Sequence, residues 1–363
     1  MKAESILVAL SGGVDSSVAA ARLVSEGHRV IAVTMRTFCY GQEDESAKSC
    51  CGLEGIADAR SVAVSLGIPH HVVDVAKEFD EHVIQDFVRE YSMGRTPNPC
   101  IRCNTYVKFP ALLARFRALG IDAIATGHHA QLEFGKGPVP RLLRGADASK
   151  DQSYVLWGLP PEFLPRVRLP IGHMSKGEVR EEARLLGLTT ADKAESQDIC
   201  FVPNGKHAEF VAARNPDAVR LGAIEDSSGQ RLGTHRGAAA YTVGQRKGIG
   251  VASTEPLYVR AIDAERNVVT VDYLAGLRVD ACELDLVNVL VGEECLGGDE
   301  LLLAQFRVHQ DPLPVRVEWI GGRVRLHIPD GATGIAPGQS AVVYRGDQVL
   351  MGGVVRSTDR REP

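Results

Sequence analysis

The 363-residue sequence has no apolar run near the roughly 18 residues that a membrane-spanning helix requires, so no membrane partner is expected. It has no GxxxxGK[ST] segment, which excludes a Walker-type phosphate loop. It lacks an excess of positive charge. The 46 acidic and 41 basic side chains leave a formal net charge of −5, so any RNA partner must be met by a local basic face. There is no internal repeat and no low-complexity tract. No secretion signal is evident: Met1-Lys2-Ala3-Glu4-Ser5 runs straight into Ile6-Leu7-Val8-Ala9-Leu10, which reads as a strand, and a cytoplasmic location is expected. Cys39, Cys50, Cys51, Cys100, Cys103, Cys200, Cys282 and Cys295 are therefore expected as reduced thiols. Cys100 and Cys103 form a CxxC pair, but the second pair at short spacing that structural zinc normally requires is missing.

What is present divides the chain in two. The first half alternates strand-like and helix-like runs: strands at 6–10, 29–35, 71–75 and 122–126, helices at 15–26, 56–66, 79–91 and 111–119. That alternation predicts an α/β doubly wound parallel sheet, with ligands at the carboxyl ends of its strands. Beyond about residue 203 short alternating runs replace the helices, at 258–262, 268–271, 301–308, 315–320, 323–328, 340–344 and 349–355. They predict two small β-rich modules, the last barrel-like. The expected domains are 1–202, 203–275 and 276–363.

Leu10-Ser11-Gly12-Gly13-Val14-Asp15-Ser16-Ser17 follows a strand and opens a helix. Glycines let the backbone approach a phosphate, and a helix N-terminus offers N–H groups and partial positive charge. Asp15 beside an anion site implies a cation, so Mg²⁺ is expected there. The alternative is an ordinary helix start capped by Ser11 or Asp15.

Later in the chain Pro97 and Pro99 rigidify the entry to Cys100-Ile101-Arg102-Cys103, and Arg102 adjoins the Cys103 thiol. Cys200 stands in Glu195-Ser196-Gln197-Asp198-Ile199-Cys200-Phe201, about a hundred residues further on. For Cys282 and Cys295 a buried, inert thiol is the expectation.

The SGGVDSS loop resembles that of the PP-loop ATP pyrophosphatases. That loop, then Cys50-Cys51, NPCIRCN before VKF, ATGHHA (125–130), Lys150-Asp151-Gln152-Ser153-Tyr154, ESQDICF and Tyr241-Thr242-Val243-Gly244-Gln245-Arg246-Lys247-Gly248, in this order, resemble the tRNA-specific 2-thiouridylase family across nearly the whole chain. The resemblance implies ATP-dependent 2-thiolation of the wobble uridine of tRNAs for Lys, Glu and Gln. It implies Cys103 as nucleophile and Cys200 as the persulfide carrier, loaded by a sulfur-relay protein or cysteine desulfurase, the two ending as a transient disulfide. It implies ATP contacts from Ala9, Leu10, Ser11, Gly12, Gly13, Val14, Asp15, Ser16, Met35 and Gly127. Contacts to tRNA are implied for Asn98, Pro99, Cys100, His128, Lys150, Asp151, Gln152, Arg307 and Gln339. The family often has Asp where Cys100 stands, so an acid/base role of that Asp does not carry over unchanged, and Tyr where Val308 stands, which weakens the contact implied for Arg307.

Two alternatives stay open within enzymes: an amide or amidine synthetase acting on a small molecule, and an iron–sulfur cluster on Cys100, Cys103 and Cys200 replacing the persulfide. A third is a non-catalytic RNA-binding or sulfur-carrier protein. Of the neighbouring histidines, His129 reads as a packed imidazole, and the GQRKG segment reads either as a phosphate-contacting loop or as a solvated turn.

Overall fold

The computed structural model describes residues 3–37, 53–135, 137–194, 199–202, 205–292, 296–308 and 310–360. Cys39, Cys50, Cys51, Cys295 and residues 195–198 lie outside them. The chain divides into two compact units, one of Met1–Val83, Cys100–Asn204 and Asp347–Val349, the other of Ile84–Pro99, Gly205–Gly346 and Leu350–Pro363.

Up to residue 204 the chain runs β1 (Ser5–Ala9), α1 (Val14–Ser25), β2 (Arg29–Arg36), α2 (Leu53–Ser65), β3 (His70–Asp74) and α3 (Ala76–Phe79). A π-helical turn over Asp80–Ile84 leads into α4 (Gln85–Ser92) and α5 (Pro99–Arg102). A second π-helical stretch, Cys103–Lys108, precedes α6 (Phe109–Leu119), β4 (Ala123–Ala125), β5 (Ala130–Glu133), β6 (Arg141–Arg144), β7 (Val167–Arg168) and α7 (Lys176–Leu185). The first unit holds a sheet of order β3-β2-β1-β4-β7 with every pairing parallel. Ile6, Leu7 and Val8 of its central strand are fully buried, as a near-continuous apolar run in a two-face-covered sheet requires. Val14, Val18 and Leu23 of α1 pack into the same core. Ser175 begins α7 with a capping box: its hydroxyl accepts from the Glu178 N–H, and the Glu178 carboxylate accepts from the Ser175 N–H. Among the described residues no helix is long and apolar enough to cross a membrane.

In the second unit α8 (His207–Arg214) precedes β8 (Gly222–Glu225), β9 (Arg231–His235), β10 (Tyr258–Asp263) and β11 (Val268–Asp272), a sheet of order β10-β11-β8-β9. The remaining strands are β12 (Val279–Val289), β13 (Leu302–Gln305), β14 (Leu313–Ile320), β15 (Arg323–Ala332), β16 (Ser340–Arg345) and β17 (Gln348–Asp359). Their order is β12-β15-β14-β13-β16-β17, and β12 also pairs with β17, closing a six-stranded barrel. Alternation sets the lining: Val315 and Val317 of β14 are buried while Arg316 and Glu318 face outward. The Ile84–Pro99 segment is held in this unit by an edge-to-face contact of Phe87 with Phe210, by Asn215 donating to Ser92 Oγ at 2.8 Å, and by Thr96 N–H donating to Pro337 O at 2.8 Å.

Candidate active site

The glycine loop sits at the carboxyl end of β1, and the helix it opens is not capped by a side chain. Gly13 occupies the cap position with no side-chain hydrogen bond. The hydroxyls turn inward and fasten the loop to itself. Ser16 Oγ donates to Gly13 O at 3.0 Å, Ser17 Oγ to Gly13 O at 2.8 Å, and the Ser11 and Ser16 hydroxyls lie 3.2 Å apart. The helix start is thus left to the loop itself, as an anion site needs and an ordinary capped start does not.

Two glycines are dictated by close approach. Gly12 has φ +75, and a Cβ there would lie 2.4 Å from Gly55 O on α2. Gly127, just past β4, passes the first turn of α1 so closely that a Cβ would meet Ser16 N at 2.6 Å. Ala9 ends β1, Leu10 is buried with its N–H on Val33 O, and Met35 lies near the carboxyl end of β2, half-buried. The resemblance-derived ATP set therefore lies on the sheet's carboxyl edge and in the loop it feeds.

Asp15 is held by partners the sequence did not reveal. Lys176 Nζ, at the start of α7, reaches both Asp15 oxygens at 2.7 Å, and His129 Nε2 lies 3.1 Å from Asp15 Oδ1. Burial alone would raise the Asp15 carboxyl, but the hydrogen bonds from His129 and Lys176 and the ammonium charge outweigh it, leaving its pKa below the ordinary value. Gln152 holds the His129 backbone: its Oε1 accepts from the His129 main-chain N–H at 2.9 Å, and its own N–H donates to His129 O. His129 is 2 % exposed, and its Nδ1 has no partner among the described residues. The packing role expected for His129 understates it, and Lys176 is a site residue that no motif of the sequence marks. The available signal was the Ser175-Lys176-Gly177-Glu178 helix start, which puts a lysine in the first turn of a helix.

Mg²⁺ was expected on Asp15. Here both carboxylate oxygens already accept from an ammonium, so the cation this loop holds with its own side chains is Lys176. No group of three or more His, Cys, Asp or Glu side chains suited to a metal occurs among the described residues. Cys100, Cys103 and Cys200, as placed, accordingly do not present the joint donor set an iron–sulfur cluster would use.

Cys103 starts the second π-helical stretch and is 6 % exposed, while Cys100, one helical turn earlier on α5, is exposed and Cys200 is half-buried. None of these three, nor Cys282, is in a disulfide. Both cysteine-bearing segments meet α3, and the Cys103 stretch also meets the π-turn after it. Phe201 packs edge-to-face on Phe79 with ring centroids 5.6 Å apart. Tyr106 stacks on His82 at 5.7 Å, and the 103–108 stretch packs on α3. The Arg102 guanidinium lies 4.3 Å over the Tyr106 ring. Asn104 Nδ2 donates to Val155 O at 3.0 Å, tying the Cys103 stretch to the segment that begins at Gln152. On the Cys200 side, Lys193 pairs with Asp58, whose Cβ lies beside Gly12.

The residues expected at tRNA are placed variously. His128 is half-buried, stacked on Phe109, with Nδ1 2.8 Å from Thr126 Oγ1. Burial, with Lys108 and His129 adding to it, pushes its pKa down to about 3, so the imidazole is neutral at pH 7. Asp151 works internally, accepting from Arg144 Nη1 at 2.8 Å, from the Gly145 and Ser153 N–H groups and from the Ser153 hydroxyl. Lys150 and Asn98 are half-buried and Pro99 is buried. In the second unit Arg307 is exposed, whereas Gln339 is 8 % exposed and uses its Oε1 to accept from Ala336 N–H.

Comparison with known proteins agrees along the chain. Residues 4–204 match the family described as tRNA methyl transferase HUP domain, 208–272 the tRNA methyl transferase PRC-barrel domain, and 289–355 the aminomethyltransferase beta-barrel domain. The tRNA-specific 2-thiouridylase MnmA of Chloroflexus aurantiacus is 44 % identical over 355 residues, covering 96 % of this chain and 97 % of that one. The protein of the same name from Geobacter metallireducens is 45 % identical, covering 96 % and 95 %. A nucleotide loop, two cysteine segments on one helix and this likeness over nearly the full length have one reading: the chain belongs to the tRNA-specific 2-thiouridylase family.

Proposed function

We propose that this protein is an ATP-dependent tRNA-uridine 2-sulfurtransferase, acting on the wobble uridine of tRNAs for Lys, Glu and Gln. The observation that carries the reading is the convergence of the Cys103 and Cys200 segments on α3, in the unit that also holds the uncapped glycine loop. A small-molecule amide synthetase has no use for either thiol.

The chemistry follows from the substrate. The C2 carbonyl of uridine is a poor electrophile because both ring nitrogens feed electrons into it. Attack of O2 on the α-phosphorus of ATP expels pyrophosphate and leaves AMP as the leaving group on C2. The loop N–H groups and the Lys176 ammonium favour the phosphates, and Asp15 and His129 fix where that ammonium stands. Cys200 carries the terminal sulfur as a persulfide. Attack of the Cys103 thiolate on the inner sulfur forms the Cys103–Cys200 disulfide and releases hydrosulfide. The hydrosulfide adds to C2 and AMP departs with the C2–O bond. The two electrons that reduce the sulfane sulfur come from the thiols, so an external thiol must reduce the disulfide before the next turnover. Neutral His128, beside the loop, can exchange a hydrogen bond with a base without bringing a charge into the site.

The test is nucleoside mass analysis of tRNA incubated with the protein, ATP, Mg²⁺ and a persulfide donor, a sulfur-relay protein or cysteine desulfurase. 2-Thiouridine is expected only when ATP is present, with pyrophosphate release that requires tRNA. Pyrophosphate release that proceeds without tRNA and responds to an amine would replace this reading with the amide synthetase one.

A further inference from the structure

The Tyr241–Gly248 motif takes no part in the chemistry above, yet it is built with care. Gln245 N–H donates to Thr242 O at 2.9 Å, closing a turn whose third residue, Gly244, has φ +88, a value L side chains rarely adopt. The Gln245 side chain then locks the turn from both ends. Its Oε1 accepts from Thr242 N–H at 3.0 Å and its Nε2 donates to Lys247 O at 2.9 Å. Backbone bonds to β10, Gly244 N–H to Val259 O and Val259 N–H to Gln245 O, fasten it to the sheet. The two residues inside this clamp, Arg246 and Lys247, are exposed, and neither forms an ion pair among the described residues.

A third cation is slotted against the same turn. Arg307 Nη2 lies 3.5 Å from Val243 O, 3.5 Å from where a Gly244 Cβ would stand and 3.3 Å from where a Gly334 Cβ would stand. A solvated turn needs no side-chain clamp and no guanidinium fitted between two glycines. On a chain of net charge −5, three cations on a prefixed backbone form a local exception.

We propose that the 242–248 turn and Arg307 form a preformed phosphate clamp that grips the RNA backbone, so that Arg246 and Lys247 position tRNA without reading its sequence. The proposal rests on the tRNA reading above. Fixing the turn beforehand spares the ordering cost that two long cationic side chains on a loose loop would incur on binding.

The test compares wild type, the double variant Arg246→Ala/Lys247→Ala, and Gln245→Ala, titrated with unmodified tRNA across a potassium chloride series, with thermal unfolding as a check on folding. The double variant is expected to bind roughly tenfold more weakly near 0.1 M salt, and its slope of log affinity against log salt to fall by about 2, one for each lost phosphate contact. Gln245→Ala keeps both charges, so it is expected to weaken binding several-fold while its salt slope stays near wild type. A folded double variant that keeps the wild-type affinity and slope would overturn the clamp while leaving the tRNA reading standing. A wild-type protein with no salt-dependent affinity for tRNA would remove both.

Discussion

The two units bury a cysteine each, in opposite ways. Cys282 is fully buried in the barrel core among Leu284, Leu326 and Val355, and burial, aided by the Asp359 charge, pushes its thiol up to about 12. It is packing material. Cys103 is also buried, but in a π-helical stretch, a geometry that occurs mostly as isolated turns at functional sites. The next two residues carry buried polar atoms, Asn104 Oδ1 and Thr105 Oγ1, with no partner among the described residues. A native interior rarely leaves such groups unanswered without a reason. Cys282 thus sits among apolar side chains, whereas Cys103 is followed directly by two buried polar groups without a partner among the described residues.

The sharpest way to break this contrast is to exchange sulfur for oxygen at both positions. Cys103→Ser is expected to lower 2-thiouridine formation by roughly a thousandfold or more, as loss of a nucleophile does. Cys282→Ser is expected to leave the rate within about twofold and to cost roughly 1–3 kcal/mol of stability, because a hydroxyl is placed in an apolar core. Urea unfolding and tRNA nucleoside analysis read the two effects, and equal losses of activity would end the distinction.

A smaller effect separates the glycines of the two regions. Gly12→Ala drives a Cβ to within 2.4 Å of Gly55 O at φ +75, whereas Gly346→Ala, at φ +56 in the turn between β16 and β17, meets nothing within 4 Å. Gly12→Ala is expected to abolish most tRNA-dependent pyrophosphate release. Gly346→Ala is expected to cost about 1 kcal/mol of stability, the penalty of the left-handed region alone, with release unchanged. Loss of release in both would show that the loop geometry is not what the reaction needs.

A further effect is in pH. The folded pKa of His128 is depressed to about 3, below that of an ordinary histidine. The unfolded chain therefore binds the extra proton first, and the stability this neutral imidazole confers, full above about pH 6.5, drains away as pH falls towards 3. Asp15, also depressed, adds a loss at lower pH, once the medium drops below the ordinary carboxylate range. His128→Asn is expected to flatten the fall in denaturation midpoint between pH 6.5 and 4. An unchanged profile would place the imidazole in a more solvated setting.

Much of the scaffold was legible because periodicity is local. The strands at 6–10, 29–35 and 71–75 are observed as β1, β2 and β3 within a residue or so, and the late alternating runs trace the barrel strands. The helix expected over 79–91 is broken into α3, a π-turn and α4, because one inserted residue leaves the apolar spacing nearly intact. The hairpin β5–β6 and strands β8, β9 and β12 carry no such clear period. Gly222 and Gly233 interrupt the alternation in β8 and β9, and in β12 the adjacent apolar pairs Ala281-Cys282 and Leu286-Val287 break its period. At the site, the loop and the cysteines were legible as motifs. The Lys176–Asp15–His129 chain was not, since its two links join residues 161 and 114 positions apart through side-chain contacts that no spacing rule encodes.

Closure of the last six strands carries a consequence of its own. With β12 bonded on one side to β15 and on the other to β17, neither end of that cylinder offers a free backbone rim to a passing polypeptide. Strand capture, the common route by which β-rich proteins clump or swap segments, is denied there, and recognition falls to the loop tips and outward side chains, which can diverge among relatives without unsealing the wall.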